Sequence, residues 1–329
     1  MPARYPTLLD VTQSLDPNGQ VATVAELLSQ TNEIMADIPF VEGNLATGHR
    51  SVIRTGLPSG TWRKLYGGVL PDKSRRAQVT DSIGMLEAYA EIDKDLADLN
   101  GNTSEFRANE ARAHLEGMSQ DFAETLVYGD ASATPERFTG LTARFNSLSA
   151  SNADNIVTGG GVGSDNASIW LIAWDPNAVF GIYPKGSTAG LTMTDKGQVT
   201  LEAAPDGSGG RMEAYRTHFQ MKGGLVVKDW RYVVRICNID RSALTADISA
   251  GADLVNLMSD AVEKLPMVTP NTAFYMDRSI RQMWRKQMAT KIKSSTLTSA
   301  EAGGVKSPTF DEIPVRRLDR LAVDEALVS

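Results

Sequence analysis

The feature that most constrains this chain is a long helix with a stop built into it. Asn102 stands as an N-cap, with Glu105 at the N3 position of a capping-box-like start. Ala111, Leu115, Met118, Phe122 and Leu126 then follow at spacings of four, three, four and four, which places them on one helical face. At 1.5 Å per residue the span 102–128 is on the order of 40 Å long. It runs into LVYGDASATPERFTGLTARF, residues 126–145. There Gly129 is free to take the left-handed conformation that closes a helix. Pro135 blocks continuation and biases Thr134 towards extended backbone. Phe138 and Leu141 flank Gly140 as apolar anchors. An apolar stripe of this length needs a large surface to cover it, so Leu115, Met118 and Phe122 are expected to be core, packed against a β-rich block elsewhere in the chain.

Residues 1–50 read as an extended arm carrying one short helix, with Val24, Leu27, Leu28 and Ile34 at roughly helical spacing and Pro39 ending it. Residues 51–94 have strand-like ends and a middle broken by Pro58, Gly60, Gly67, Gly68 and Pro71. In that middle Arg63, Lys64, Lys73, Arg75 and Arg76 face only Asp72, so the segment reads as a long exposed β-hairpin or loop. Residues 165–240 read as β. SIWLIAWDPNAVFGIYP is two apolar strands around Asp175-Pro176-Asn177, and APDGSGGRM is a flexible hairpin tip. In WRYVVRICNI, Trp230, Tyr232, Val234 and Ile236 alternate with Arg231, Val233 and Arg235. A helix over 249–265 buries Leu254, Leu257, Met258, Ala261, Val262 and Leu265. TAFYM is a strand, Asp277 caps a helix through Ile280, Met283, Trp284 and Met288, and the tail returns to strand at Ile313 and Val315. This order is α+β, without an internal repeat, in two intertwined subdomains.

A chain of 329 residues exceeds what one compact domain usually needs. No apolar run approaches the ~20 residues of a membrane helix, and the opening MPARYPTLLDVTQSLDPNGQ has no apolar stretch of signal-peptide length. The expectation is a protein that stays in the cytosol where it is made, with no membrane partner. The net charge of −7, from 33 basic and 40 acidic residues, argues against a dedicated nucleic-acid binder.

Candidate chemistry is sparse. Cys237 is the single cysteine, and His49, His114 and His218 are far apart, so no zinc-type spacing exists. GGGVGSDNAS, residues 159–168, lacks the Lys-Ser/Thr ending of a phosphate loop and reads as a surface turn. The carboxylates at Asp93, Asp95 and Asp98 and at Asp311 and Glu312 read as solvated faces, Cys237 as a structural thiol, and the histidines as packing or surface residues. No Gly-x-Ser-x-Gly elbow is present. No catalytic residue, metal or cofactor is therefore expected. The cations from Arg63 to Arg76 are the sharpest polar feature. They read as a solvated loop, as a contact with acidic surface on a neighbouring subunit, or, third, as a nucleic-acid patch, whose aromatic interleaving stops at Trp62 and Tyr66.

The order of elements resembles the major capsid proteins of tailed double-stranded DNA phages, most closely those of short-tailed phages. The residues that carry the likeness are YGDASATPERFTGL, IWLIAWDPNAVFGIYPKGSTAGL, KGGLVVKDWRYVVRICNIDRSAL and FDEIPVRRLDRL. The likeness covers most of residues 50–329, and the first 50 match weakly. It implies the Hong Kong ninety-seven-like fold: an N-terminal arm at 1–50, an extended loop (E-loop) at 51–94, and intertwined peripheral and axial domains over 95–329, with the spine helix at about 102–128. It implies a structural subunit that forms pentamers and hexamers of an icosahedral shell around packaged DNA, which it touches weakly and without specificity. It also implies a portal as partner and allows separate scaffolding and cement proteins. The chain would be assembled in the host cytoplasm and reside in the virion. Trp62, Arg63, Lys64, Leu65, Lys73, Arg75 and Arg76 would form the intersubunit contact of the extended loop. The short arm argues against a built-in scaffold, and no motif marks a Lys–Asn crosslink. The alternative is an encapsulin-like compartment shell, which shares the fold but holds protein cargo.

Overall fold

The computed structural model describes residues 30–98, 103–202, 210–291, 299–302 and 305–329. In chain order the elements are α1 (Ile34–Asp37), β1 (Phe40–Glu42), β2 (Gly48–Gly56), β3 (Arg75–Ser82), β4 (Gly84–Asp93), α2 (Lys94–Ala97), α3 (Thr103–Tyr128), α4 (Leu141–Arg144), β5 (Ile156–Thr158), β6 (Asn166–Ala173), β7 (Val179–Tyr183), β8 (Leu191–Leu201), β9 (Met212–Val227), β10 (Val233–Asp240), α5 (Leu254–Glu263), β11 (Thr272–Met276), α6 (Arg278–Lys291), β12 (Ser299–Ala302), β13 (Val305–Phe310) and β14 (Ile313–Arg317). Val24, Leu27 and Leu28 of the expected arm helix, the Asn102 cap and most of the APDGSGGRM tip lie outside the described residues. The described residues form two units, each discontinuous in sequence: one from Met85–Glu124 and Gly190–Lys222, the other from Glu33–Gly84, Thr125–Ala189 and Gly223–Ser329.

In the first unit β8 and β9 form a long antiparallel pair from Leu191↔Met221 to Leu201↔Met212. Phe219 is buried on the face of β9 towards α3, where it stacks on His114 at 5.5 Å. Ile92, Ala97 and Phe106 form a small cluster with Leu96 and Tyr215. On the other face of β9, Arg216 pairs with Glu91 at 2.6 Å and His218 stacks on Tyr89. Met118 and Phe122 of α3 are buried, at 4% and 3% exposure. Leu115 is only half-buried, one turn short of where the stripe becomes fully covered.

The second unit is organised by a seven-stranded sheet in the order β12-β13-β14-β11-β6-β10-β5. Its interior strand β6, paired on both sides, is buried at every position, with the apolar run Ile169–Ala173 following Asn166 and Ser168. One face packs on α5 and α6, where Leu254, Met258, Ala261, Ile280 and Trp284 meet Leu171, Val234, Phe274 and Val315. The two helices are placed as their sequences ask. Asp253 accepts from the backbone N–H of Asn256 at the start of α5, and Asp277 from that of Ser279 at the start of α6. Gln287 is fully buried; it accepts from the Leu254 N–H and donates to the carbonyls of Thr245 and Ala252. Strand β10 departs from the expected in–out alternation. Trp230–Tyr232 is a 3₁₀ turn, and Val233 to Ile239 are buried on both faces, Arg235 included.

The stop after α3 works by a different device from the one expected. Gly129 does not adopt a positive φ. A Cβ there would stand 2.3 Å from the Phe138 carbonyl oxygen and 2.5 Å from that of Thr125. The Gly140 N–H donates to the Gly129 carbonyl at 2.8 Å, so two glycines let the segment fold flat against the end of the helix. Phe138, Leu141 and Phe145 are buried behind it.

Candidate assembly surface

Strands β2 and β3 pair antiparallel from Gly48↔Ser82 to Ile53↔Ala77, and the register shifts between Arg54 and Gly56. The hairpin thus spans residues 48–82. The expected 51–94 loop is too long at its C-terminal end, because Gly84–Asp93 forms β4, which joins β9 instead. Apolar alternation in GMLEAYAEID is that of a half-buried strand, and it explains the difference.

Between the strands, residues 57–74 hold no regular structure. Gly67 donates to the Lys64 carbonyl at 3.0 Å, and Tyr66 takes a left-handed φ of 64° in that turn. Asp72 accepts from the backbone N–H groups of Ser59 (2.9 Å) and Lys73 (2.7 Å), and these two bonds, Ser59 first, hold its carboxyl below the usual carboxylate range. The one acid of the loop is therefore engaged with backbone. Trp62, Arg63, Lys64, Leu65, Lys73, Arg75 and Arg76 are all exposed, and the five cations have no carboxylate partner among the described residues. Trp62 and Tyr66 expose their whole side chains, and Leu57, Leu65 and Leu70 expose more than three quarters of theirs. Sequence reading weighed this tip by its charge and passed over Leu57, Val69 and Leu70.

The other sequence candidates are structural. Asp93 caps α2 through the Asp95 N–H, and Asp98 accepts from Thr103 and pairs with Lys94. Asp311 and Glu312 form the tight turn between β13 and β14, both at positive φ. His49 packs edge-on against Phe180 at 5.5 Å. His218 meets Glu87 at 3.2 Å, and hydrogen bonds from Gln220 and then His218 lower the Glu87 carboxyl. The glycine run lies along β10, with Gly159 and Gly161 donating to Cys237 and Asn238 carbonyls and Gly160 to the Thr158 hydroxyl, so these three amides are not presented to a phosphate. Cys237 is buried, and burial raises its thiol. Among the described residues no group of three His, Cys, Asp or Glu side chains has metal-binding geometry.

One buried polar cluster was missed. Arg235, 2% exposed, pairs with Glu325 at 2.9 Å and donates to the Phe145 carbonyl at 2.6 Å. Glu325 also accepts from Ser168 and from the Tyr128 hydroxyl, while Arg235 lies over the Trp170 ring at 5.1 Å. Two further bonds join Asn238 to the backbone of Val328. Together they bind the C-terminal tail to β6 and β10.

The sequence matches the family model for the major capsid protein GP7 over residues 16–329. Among solved structures, the chain superposes on that of bacteriophage Epsilon15 with a TM-score of 0.79 and 33% identity, covering 100% of this chain and 99% of that one. The Bacteriophage JBD30 capsid (TM-score 0.48, 8% identity, 91% of this chain and 95% of that one) and the SrpI encapsulin complex from Synechococcus elongatus PCC 7942 (0.41, 9%, 72% and 96%) superpose too loosely to inform the assignment. No curated protein matches. With the Hong Kong ninety-seven-like capsid fold in place and the family model spanning nearly the whole sequence, this chain belongs to the major capsid protein GP7 family and serves as a structural subunit of a phage capsid shell.

Proposed function

We propose that the chain assembles into pentamers and hexamers of an icosahedral shell that encloses packaged double-stranded DNA, has no catalytic role, and uses the β2–β3 hairpin as its reach to a neighbouring subunit. The observation that carries the hairpin reading is the tip at 57–74. Its apolar side chains and three cations are exposed, Arg75 and Arg76 follow exposed at the start of β3, and its one acid is bound to backbone. Such a loop buries little apolar area in its own subunit. Contact with another copy removes Trp62 and Leu65 from water and gives Arg63, Lys64, Lys73, Arg75 and Arg76 acidic partners. Each exposed ion pair contributes only ~0.2–1 kcal/mol, but a closed shell repeats the contact in every subunit. Host cytoplasm as the site of assembly, a portal at one vertex, and a scaffold and cement supplied by other chains complete the reading. Its net acidity suits a container, because a strongly basic lining would hold DNA tightly.

The test is the double variant Arg75→Glu/Arg76→Glu. Circular dichroism should show a folded subunit, while sedimentation and negative-stain imaging should show few closed shells. Normal shells from this variant would refute the hairpin contact. The nature of the enclosed cargo, DNA or protein, separates the phage shell from an encapsulin-like compartment.

A further inference from the structure

Helix α6 carries Arg278, Arg281, Arg285, Lys286 and Lys291 and no acidic residue, in a chain whose net charge is −7. Its apolar face, Ile280, Trp284 and Met288, is buried in the seven-stranded sheet's core. At 100° per residue, Arg278, Gln282, Arg285 and Lys286 fall on the side away from it, while Arg281 lies on the flank, about 20° round the helix from Met288. Two of the five cations are matched within the subunit: Arg278 pairs with Asp319 at 3.0 Å and Lys291 with Asp253 at 2.6 Å. Arg281, Arg285 and Lys286 have no carboxylate partner among the described residues.

Arg281 is the most revealing of the three. It is half-buried, and its Nε is enclosed without a hydrogen-bond partner. Desolvation, and then the charge of Arg285, lower its guanidinium's affinity for its proton; Arg317 and Arg316 push the same way and Glu33 opposes them. Gathering like charges around a partly desolvated arginine opposes folding. The arrangement gains when an anion arrives.

We propose that this face of α6, centred on Arg281, Arg285 and Lys286, is a docking surface for the phosphate backbone of double-stranded DNA, read without regard to sequence. The proposal rests on the shell reading above and names where the enclosed duplex would touch the subunit. Arg281 and Arg285 are one helical turn apart, a rise of about 6 Å, which suits charges strung along a nucleic-acid backbone better than one point anion. The face presents only Gln282 as a polar base-reading group and no exposed aromatic for stacking. Three charges limit the contact to weak, salt-sensitive binding, which suits DNA that must be packed and released.

The full chain, titrated as dissociated subunit against a fluorescein-labelled 30-base-pair duplex, tests this by anisotropy at several salt concentrations. The triple variant Arg281→Gln/Arg285→Gln/Lys286→Gln should bind at least about tenfold more weakly at 50 mM salt, with the slope of log affinity against log salt reduced by about 2.7. Its melting temperature should be no lower than the parent's, because mutual repulsion has been removed. A variant of equal charge change on other exposed lysines, Lys185→Gln/Lys196→Gln/Lys228→Gln, should lose distinctly less. Equal losses from both variants would reduce the effect to net charge and overturn the proposal. So would an unchanged slope in the α6 variant; were that variant also unable to form shells, the face would be a protein contact. Imaging of the parent keeps the two readings apart: a parent that forms no shells removes the shell reading, while the titration still decides the face.

Discussion

Replacing Glu325 by Ala tests how the C-terminal tail is held. The carboxylate is 6% exposed and carries the Arg235 pair, the Tyr128 hydroxyl bond and the Ser168 bond. Removing it leaves Arg235, 2% exposed, with its charge answered only by the Phe145 carbonyl, the Ser168 hydroxyl and the Trp170 ring. Breaking a buried pair from one side costs ~3–5 kcal/mol, because the stranded charge keeps its desolvation penalty. In a cooperative unit of roughly 150–250 residues, each kcal/mol moves the midpoint by ~2–4 °C. Glu325→Ala is therefore expected to lower the melting temperature of dissociated subunits by about 6–20 °C, read by calorimetry. The double variant Arg235→Met/Glu325→Leu removes both charges and should recover most of that loss, since a matched apolar pair is often neutral. A single variant melting within about 2 °C of the parent would show that water or a shifted tail solvates Arg235, and the tail would not be latched as described.

Phe122→Ala should destabilise the dissociated subunit by ~3–5 kcal/mol in chemical denaturation, as truncating a side chain 3% exposed does elsewhere; an unchanged midpoint would remove that face of α3 from the core. Gly129→Ala forces a methyl to within 2.3 Å of the Phe138 carbonyl oxygen and should cost ~1–3 kcal/mol or more. Gly117→Ala on the same helix meets no atom within 4 Å and should be neutral or stabilising by ~0.5–1 kcal/mol, so equal effects of the two would discredit the close-approach account. Burial, and then the charge of Glu325, raise the Tyr128 hydroxyl above its ordinary value of 10.0. Above that pH the unfolded chain loses a proton the folded chain keeps, so stability should fall as pH rises, by up to ~1.4 kcal/mol per pH unit for each such tyrosine. Melts between neutral and strongly alkaline pH should show a shallower fall for Tyr128→Phe than for the parent.

What could be read from the sequence was what the chain encodes locally. Asp277 caps the helix it precedes, TAFYM is a strand, and Ile313 and Val315 face the core, because caps, period and breakers act within a few residues; the helix read over 249–265 starts only at Leu254, where Asp253 caps it. The glycine at 129 was found, but its reason was not: a left-handed cap and a close approach of distant backbone leave the same residue in the sequence. Arg235 looked like an outward residue of an alternating strand because its partners, Phe145, Ser168 and Glu325, lie far away in the chain. Ion pairs closed by tertiary folding have no sequence period. The same blindness applied to α6, where the apolar stripe drew attention and the unmatched cations behind it did not.

These two clusters of cations without carboxylate partners in the second unit differ in a way that argues for different partners. At the hairpin tip the charges sit beside Trp62, Leu65 and Leu70 on a segment without regular structure. A partner there must offer apolar surface as well as acid, and the loop must be fixed on contact, which a shaped protein surface can do. On α6 the charges stand on a helix already anchored by Ile280, Trp284 and Met288, with no large exposed apolar side chain among them. A rigid, apolar-free row of cations gains nothing from a greasy groove and needs no induced fit. It answers a partner that is itself a stiff, repeating array of charge. The subunit's other cations of known pairing, Arg144 with Asp81 and Arg317 with Asp319 among them, are closed within the subunit. On the two proposals above, these groups divide the labour, protein at the hairpin and phosphate at the helix. It can fail in one place without the other: salt that weakens duplex binding through α6 should leave the apolar part of the hairpin contact largely intact.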